Sequence, residues 1–238
     1  IKPFVYAAAL DNGMTPATMI VDGPFCVYQG ARFGNKCFRN FGGAGGGGEH
    51  TMRWGLEQSR NLMTVRAASQ VGIEPVVETI KTMGIGTHEP YLSTALGAGS
   101  TTVEKITNAY AMLANHGREL KPRVIDYAQD RRGKVIFPRN WKPCAGCNKK
   151  DWDGRPMPRF AKSGKQLMDP ITAYQVVHML EGVVQRGTAV RLRDLNVPLF
   201  GKTGTTTGPN DVWFVGGTPD VIAGMYIGFD QPRSMGGY

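Results

Sequence analysis

The chain has 238 residues, with 41% hydrophobic and 20% charged side chains and a formal net charge of +9. This length allows one or two domains with a sizeable core, and this composition excludes a disordered tail and a membrane-embedded bundle. No uninterrupted run of about 18 apolar residues occurs, which excludes a transmembrane helix within these residues.

The first predicted element is an apolar helix over residues 1–10. Lys2 lies near its start, and Pro3 is tolerated because the first helical turn has no intrahelical use for its N–H. If Lys2 is buried, its pKa falls toward neutrality, which makes it a candidate general base. The alternative is a surface lysine whose head reaches solvent. We interpret the start at Ile1, inside an apolar run without initiator methionine or signal peptide, as the interior of a longer protein.

Residues 11–50 are rich in turn-forming residues and contain two of the four cysteines. A structural zinc site usually uses two short cysteine pairs, but only Cys144 and Cys147 form a short pair, while Cys26 and Cys37 lie further apart. This pattern fits two local disulfides, provided that the chain resides outside the cytoplasm. Four free thiols in a reducing compartment are the alternative.

A glycine-rich run at positions 42–48 contains six glycines in seven residues. This composition is typical of a flexible linker. It does not form a phosphate-binding P-loop, because no Gly-Lys-Ser/Thr follows it. Helices are predicted after it from the cap Thr51 to Gln58, over Leu62–Val71 and Pro75–Met83, and from Thr101 or Thr102 to Gly117.

The tripeptide Ser59-Arg60-Asn61 lies between two of these helices. Serine and asparagine at this spacing are commonly a cap and a turn. A functional role for Ser59 and Asn61 is the alternative.

Residues 118–165 hold 14 Lys or Arg against 5 Asp or Glu, and therefore carry the whole net charge. Short β-type runs at Arg123–Tyr127 and Lys134–Phe137, with a turn at Asp130–Gly133, predict a hairpin. We interpret the segment as a solvated basic excursion, with contact to a polyanion or an anionic membrane as the alternative. No zinc-finger, RNP-type or helix-turn-helix pattern accompanies it, so nucleic-acid binding is not predicted.

The C-terminal part predicts one helix followed by three strands. Asp169-Pro170 opens a helix that ends at Gly187, by the rule of a capping residue followed by proline. Strands at Val197–Thr206, Val212–Gly217 and Val221–Phe229 indicate an antiparallel meander, and the whole pattern favours an α+β fold. The predicted inner face of the helix comprises Ile171, Tyr174, Val177, Leu180 and Val184.

The first of these strands contains Lys202-Thr203-Gly204-Thr205. A lysine, two hydroxyls and a glycine are unusual on an otherwise apolar strand. Such a strand could hold a carboxylate and a peptide carbonyl, with Gly204 allowing a close approach. A polar edge strand without function is the alternative.

Together, a lysine in an apolar helix, Ser-x-Asn in a loop and Lys-Thr-Gly on a strand match the lysine of the first motif and the second and third motifs of penicillin-recognising serine acyltransferases. The wider sequence resembles the transpeptidase domain of class A, bifunctional penicillin-binding proteins over nearly the whole chain. The segments that carry this resemblance are residues 56–66, Ala95–Gly99, Ala109–Gly117, Gln185–Ala189 and Gly201–Gly217.

The resemblance implies that residues 1–238 are part of one penicillin-binding transpeptidase domain of the serine β-lactamase-like fold, with helices packed on an antiparallel sheet that is incomplete here. It implies peptidoglycan D,D-transpeptidation on D-Ala-D-Ala stem peptides, β-lactams as substrate mimics, and no metal or organic cofactor. Lys2 would take the proton of a serine nucleophile, Ser59 would relay it to the departing D-Ala, and Asn61 would hold Lys2 and the substrate amide.

On the strand, the resemblance implies that Lys202 supplies positive potential while the hydroxyls of Thr203 and Thr205 receive the substrate carboxylate. The backbone N–H of Thr205 would help to form the oxyanion hole.

The family's first motif is Ser-x-x-Lys, so the nucleophile is expected three positions before Lys2, and this chain alone is expected to be inactive. The parent protein is expected to have a glycosyltransferase domain and a membrane anchor, and to lie at the periplasmic face of the bacterial inner membrane. The alternative function is a non-catalytic module that senses β-lactams or binds a polyanion.

Overall fold

A computed structural model describes most of the chain. The described residues are 1–28, 31–32, 34–43, 46–125, 127–137, 151, 154, 164–206 and 208–236. Predictions for the remaining positions, including those for Cys144 and Cys147, lie outside the described residues.

The structure consists of helices and short antiparallel sheets. The helices are α1 (Lys2–Asp11), α2 (Met52–Glu57), α3 (Asn61–Val71), α4 (Ile73–Thr82), α5 (Val103–Ala114) and α6 (Pro170–Arg186). The strands are β1 (Met19–Asp22), β2 (Phe25–Tyr28), β3 (Asn35–Phe38), β4 (Gly48–Thr51), β5 (Ala128–Gln129), β6 (Val135–Phe137), β7 (Phe200–Thr205), β8 (Asp211–Gly217) and β9 (Ile222–Gly228). No helix of the described residues has both the length and the apolar character needed to cross a bilayer.

Helix α1 lies at the centre of the core. Its residues 4–9 are at most 1% exposed, which is the pattern of a helix buried on all sides. Helices α3, α4 and α6 pack around it, and the ring of Phe4 meets that of Tyr110 edge-on at 5.7 Å. The predicted first helix is confirmed, and its packing fixes the position of Lys2 at the first turn.

Strands β7, β8 and β9 form the predicted antiparallel meander. Helix α6 packs against β7, and α5 packs against β9. The approach of α5 is close, since a Cβ at Gly224 would lie 1.8 Å from Oγ1 of Thr107. Helices packed on an antiparallel sheet confirm the α+β fold class.

The predicted inner face of α6 is wrong in its first turns. Ile171 and Tyr174 are 66% and 60% exposed, whereas Leu180 and Val184 are buried as expected. The buried side of α6 faces α1, α2 and β7, and mostly small side chains allow these elements to approach closely. The buried residues of α6 are Thr172, Ala173, Val176, Met179, Leu180, Gly182, Val183 and Val184.

The basic segment contains the predicted turn at Asp130–Gly133, whereas the described residues of the predicted strand Arg123–Tyr127, which are 123–125 and 127, form no strand. Strand β5 instead begins at Ala128 and pairs with β6. The Asp130 carboxylate accepts hydrogen bonds from the backbone N–H groups of Arg132 and Lys134 at 2.8 and 3.0 Å. The pairing is confined to the residues next to this turn.

Strands β2 and β3 are joined by a disulfide between Cys26 and Cys37, which stand directly opposite each other. These two cysteines are therefore not metal ligands. Among the residues that the structure describes, no group of three or more His, Cys, Asp or Glu is placed to hold a metal ion.

Candidate active site

The ammonium of Lys2 contacts both polar residues of the Ser-x-Asn loop. Its Nζ donates to the Ser59 carbonyl at 2.7 Å, to Ser59 Oγ at 2.9 Å and to Asn61 Oδ1 at 2.7 Å. These acceptors satisfy all three protons of a charged lysine. A neutral Lys2 would donate to the two carbonyl-type oxygens and accept from the Ser59 hydroxyl. The geometry therefore allows a proton to pass between Nζ and Oγ.

The pKa of Lys2 lies well below its ordinary value of 10.5. Burial is the largest cause, because it disfavours the charged amine, and the positive charges of Lys202 and Arg60 lower the pKa further. The protein thereby holds an amine that can be neutral, and can act as a base, at a pH where an exposed lysine is charged.

The backbone of the loop holds these groups in place. Ser59 has a left-handed conformation with φ of 56°, which is rare for residues with a side chain and recurs at functional sites. Helix α3 begins at Asn61. The Asn61 amide nitrogen donates to the Arg39 carbonyl at 3.0 Å, and this bond directs Oδ1 toward Lys2.

A buried carboxylate lies behind the loop. Asp22 is 0% exposed and accepts from Arg60 Nε at 2.6 Å, Asn40 Nδ2 at 2.8 Å and the backbone N–H of Gly47 at 3.3 Å. The Asn40 side-chain oxygen accepts from the N–H of Leu62 at 3.2 Å. A buried charge requires such partners. The network fixes positions 60 and 62 on either side of Asn61, and the sequence analysis missed it.

Residues 46–48 of the glycine-rich run pack against this network, so the prediction of a flexible linker is wrong for these three residues. Gly48 begins β4, which pairs with β1. A Cβ at Gly46 would lie 1.5 Å from the Asp22 carbonyl oxygen. Glycine is needed here because two backbone segments approach each other closely.

Strand β7 presents the Lys-Thr-Gly-Thr sequence beside this site. Lys202 is 5% exposed, and its Nζ donates to the Thr203 carbonyl at 3.1 Å. Burial lowers the pKa of Lys202 to about 7. Thr203 and Thr205 are half-buried and alternate with Gly204, which pairs with Trp213 of β8. A Cβ at Gly204 would lie 3.3 Å from Cβ of Trp213, so the space there is narrow.

An ion pair joins the ends of α2 and α6. Both carboxylate oxygens of Glu57 accept from Arg186, Oε2 from Nε at 2.9 Å and Oε1 from Nη2 at 2.5 Å. The Glu57 side chain is only 3% exposed. Gln58 reinforces the junction by donating to the Arg186 carbonyl at 3.0 Å. The junction holds the chain just before Ser59 against the end of α6.

The residues that follow α6 contact strand β7. The hydroxyl oxygens of Thr188 and Thr203 lie 2.6 Å apart. Thr188 was not a candidate in the sequence analysis, although it belongs to a segment, Gln185–Ala189, that carried the resemblance. The structure thus brings Lys2, Ser59 and Asn61 into direct contact. It places Lys202 close enough for its charge to lower the pKa of Lys2. It also adds Thr188 to the residues that lie beside strand β7.

Residues 1–234 match the family model described as the penicillin binding protein transpeptidase domain. The chain belongs to this family.

Curated relatives are named penicillin-binding protein 1A. The chain is 41% identical to that of Rickettsia bellii (strain RML369-C) over 238 residues, covering 99% of this chain and 30% of the relative. It is 34% identical to that of Neisseria meningitidis serogroup B, covering 99% of this chain and 28% of the relative. The chain thus spans less than a third of the length of these relatives.

Solved structures show the same fold. Penicillin-binding protein 1A from Haemophilus influenzae superposes with a TM-score of 0.83 at 26% identity, covering 99% of this chain and 38% of that one. PonA1 from Mycobacterium tuberculosis in complex with penicillin V superposes with a TM-score of 0.72 at 22% identity, covering 98% and 60%. The penicillin-binding transpeptidase fold expected from the sequence is confirmed.

Proposed function

We propose that the chain is part of a peptidoglycan D,D-transpeptidase that cross-links the cell wall through a serine acyl-enzyme formed on D-Ala-D-Ala stem peptides. The observation that carries this proposal is the contact of Lys2 Nζ with Ser59 Oγ and Asn61 Oδ1. Family membership supports transpeptidase chemistry. Because its pKa is lowered, the Lys2 amine can be neutral and can act as the base that a serine nucleophile needs.

The nucleophile in this proposal is a serine three positions before Lys2 in the intact protein. Its oxygen attacks the carbonyl carbon of the penultimate D-Ala while its proton passes to Lys2 Nζ. A C–O bond forms, the amide C–N bond breaks, and the departing D-Ala amine receives the proton through Ser59 Oγ. An acceptor amine from a second stem peptide then attacks the ester, forms the new amide and returns a proton to the serine.

Strand β7 recognises the C-terminal end of the stem peptide. Thr203 and Thr205 offer hydroxyls to the terminal carboxylate, and Lys202 supplies a cation next to them. Gly204 keeps the strand narrow beside the substrate. The backbone N–H of Thr205 would help to stabilise the oxyanion of the tetrahedral intermediate.

The proposed location is the periplasmic face of the bacterial inner membrane, with the parent protein membrane-anchored. The Cys26–Cys37 disulfide supports it, because disulfides persist in oxidising compartments such as the periplasm. Stem peptides are the proposed substrates and β-lactams the proposed inhibitors, which the penicillin V complex of PonA1 supports by similarity of fold.

The experiment that tests the function follows D-Ala release and cross-linked product when the intact protein is given stem peptides ending in D-Ala-D-Ala. We expect both products, and neither with peptides ending in D-Ala-L-Ala. A folded protein that releases no D-Ala and forms no cross-link would refute the proposal.

The pH profile of acylation tests the role of Lys202. Because its pKa is about 7, Lys202 loses its charge as the pH rises through this value, and attraction for a carboxylate weakens. We expect the second-order rate constant for benzylpenicillin, which reports the free enzyme, to fall on the alkaline side of about pH 7. In Lys202→Arg this limb should move to much higher pH, since guanidinium stays protonated. An alkaline limb at the same pH in both proteins would contradict this role.

A further inference from the structure

We propose that Thr188 is a positioning residue for the substrate carboxylate, because its hydroxyl orients the Thr203 hydroxyl so that one O–H of the pair faces the carboxylate. This inference rests on the proposed function. It adds to carboxylate recognition a residue that lies outside the three sequence motifs.

The hydroxyls of Thr188 and Thr203 have two protons between them. Each threonine hydroxyl has one proton, and the contact of 2.6 Å between Thr188 and Thr203 uses one of the two. The other proton is left for an external acceptor. Thr188 is exposed and Thr203 is half-buried, so a ligand can reach the pair from solvent.

Binding of a carboxylate sets the direction of the hydrogen bond between Thr188 and Thr203. If Thr188 donates to Thr203, then Thr203 can donate its own proton outward, and the bond that it accepts strengthens it as a donor. A carboxylate is a strong acceptor and favours this arrangement, since hydrogen bonds to charged groups are about twice as strong as neutral ones. Without the Thr188 hydroxyl, the Thr203 hydroxyl loses the partner that sets its rotamer.

The backbone holds Thr188 rigidly. Its N–H donates to the Glu57 carbonyl at 3.2 Å, and the next residue, Ala189, donates to the Val183 carbonyl at 3.1 Å. The preceding residue, Gly187, also lies against Glu57, since a Cβ at Gly187 would lie 2.3 Å from the Glu57 carbonyl oxygen. Glu57 lies two residues before Ser59. The same anchor therefore positions the Ser-x-Asn loop and the hydroxyl pair relative to each other.

Lys202 does not replace this function. Its Nζ donates one of its three protons to the Thr203 carbonyl at 3.1 Å, and the residue is only 5% exposed, so what it chiefly offers a ligand is positive potential. Direction must come from the hydroxyls. Thr188 is thus expected to affect ligands with a carboxylate and to leave ligands without one unaffected.

The test compares acylation of the intact protein by benzylpenicillin and by its methyl ester, which lacks the carboxylate. In Thr188→Val, which keeps the shape and removes the hydroxyl, we expect the second-order rate constant for benzylpenicillin to fall about tenfold. The rate constant for the ester should stay within about twofold. Thr188→Ser retains the hydroxyl and should restore the discrimination between the two compounds.

Thr15→Val is the matched control, because Thr15 and Thr18 form an exposed hydroxyl pair at 3.3 Å; it should change neither rate constant. An equal fall for both compounds in Thr188→Val, or no fall for either, would overturn the inference while leaving the proposed function intact. A wild-type protein that benzylpenicillin does not acylate would instead refute the proposed function, and the inference with it.

Discussion

Replacing Lys2 by methionine should lower the rate of acylation by benzylpenicillin about a thousandfold or more, since a positioned general base contributes about 10²–10⁴-fold. Methionine has a similar length but cannot accept a proton. Lys2→Arg should be similarly inactive, because a guanidinium retains its proton. The measurement is the acylation rate of the intact protein, followed by mass.

The fold should tolerate Lys2→Met. Burial makes a charged Lys2 costly, and the loss of its three hydrogen bonds opposes the relief of this cost. The acceptors on Ser59 and Asn61 are only half-buried, so the unfolding temperature should change little. Lys81→Met is the control, because Lys81 is an exposed helical lysine with a side chain 61% exposed, and its loss should leave the rate unchanged. A Lys2→Met protein that acylates within tenfold of wild type would show that another group removes the serine proton.

Of the single substitutions proposed for this protein, Arg186→Leu should give the largest loss of stability. It leaves the Glu57 carboxylate, with a side chain 3% exposed, without its bidentate partner. Because the Arg186 side chain is itself 50% exposed, solvent screens the pair, and the cost falls below the roughly 3–5 kcal/mol of a fully buried pair. The unfolding temperature of the transpeptidase domain should fall by about 5 °C, and acylation should slow because Glu57 lies two residues before Ser59. Calorimetry of the intact protein measures the first effect.

A double variant isolates the buried charge as the cause. In Arg186→Leu with Glu57→Leu, most of the lost stability should return, since two apolar residues replace an unpaired carboxylate. Breaking the exposed Lys81–Glu78 pair, with side chains 61% and 66% exposed, should change stability by no more than about 0.5 kcal/mol. An Arg186→Leu loss as small as this would show that the junction of α2 and α6 is held by other contacts.

Local patterns predicted most elements of the fold. Thr51 caps α2 by accepting from the N–H of Trp54, and Asp169 caps α6 by accepting from the N–H groups of Ile171 and Thr172. The meander of β7, β8 and β9 followed from its spacing and turns. These features depend on residues close in sequence, for which propensity and capping are decisive. The inner face of α6 depended on tertiary neighbours and was wrong in its first turns.

The site was predictable only in part, because its contacts join distant segments. Lys2 and Ser59 are 57 residues apart, and family resemblance rather than pattern brought them together. Asp22 meets partners 18, 25 and 38 residues away, and no motif marks an aspartate at a strand end as buried. Thr188 likewise became visible only through its contact with Thr203.

The location of the nucleophile is measured by peptide mapping of the intact protein after reaction with benzylpenicillin. We expect a mass gain of one drug molecule, located on a serine three positions before Lys2, and loss of this gain in Lys2→Met. A folded protein without the adduct, or an adduct located on Ser59, would contradict the proposed mechanism.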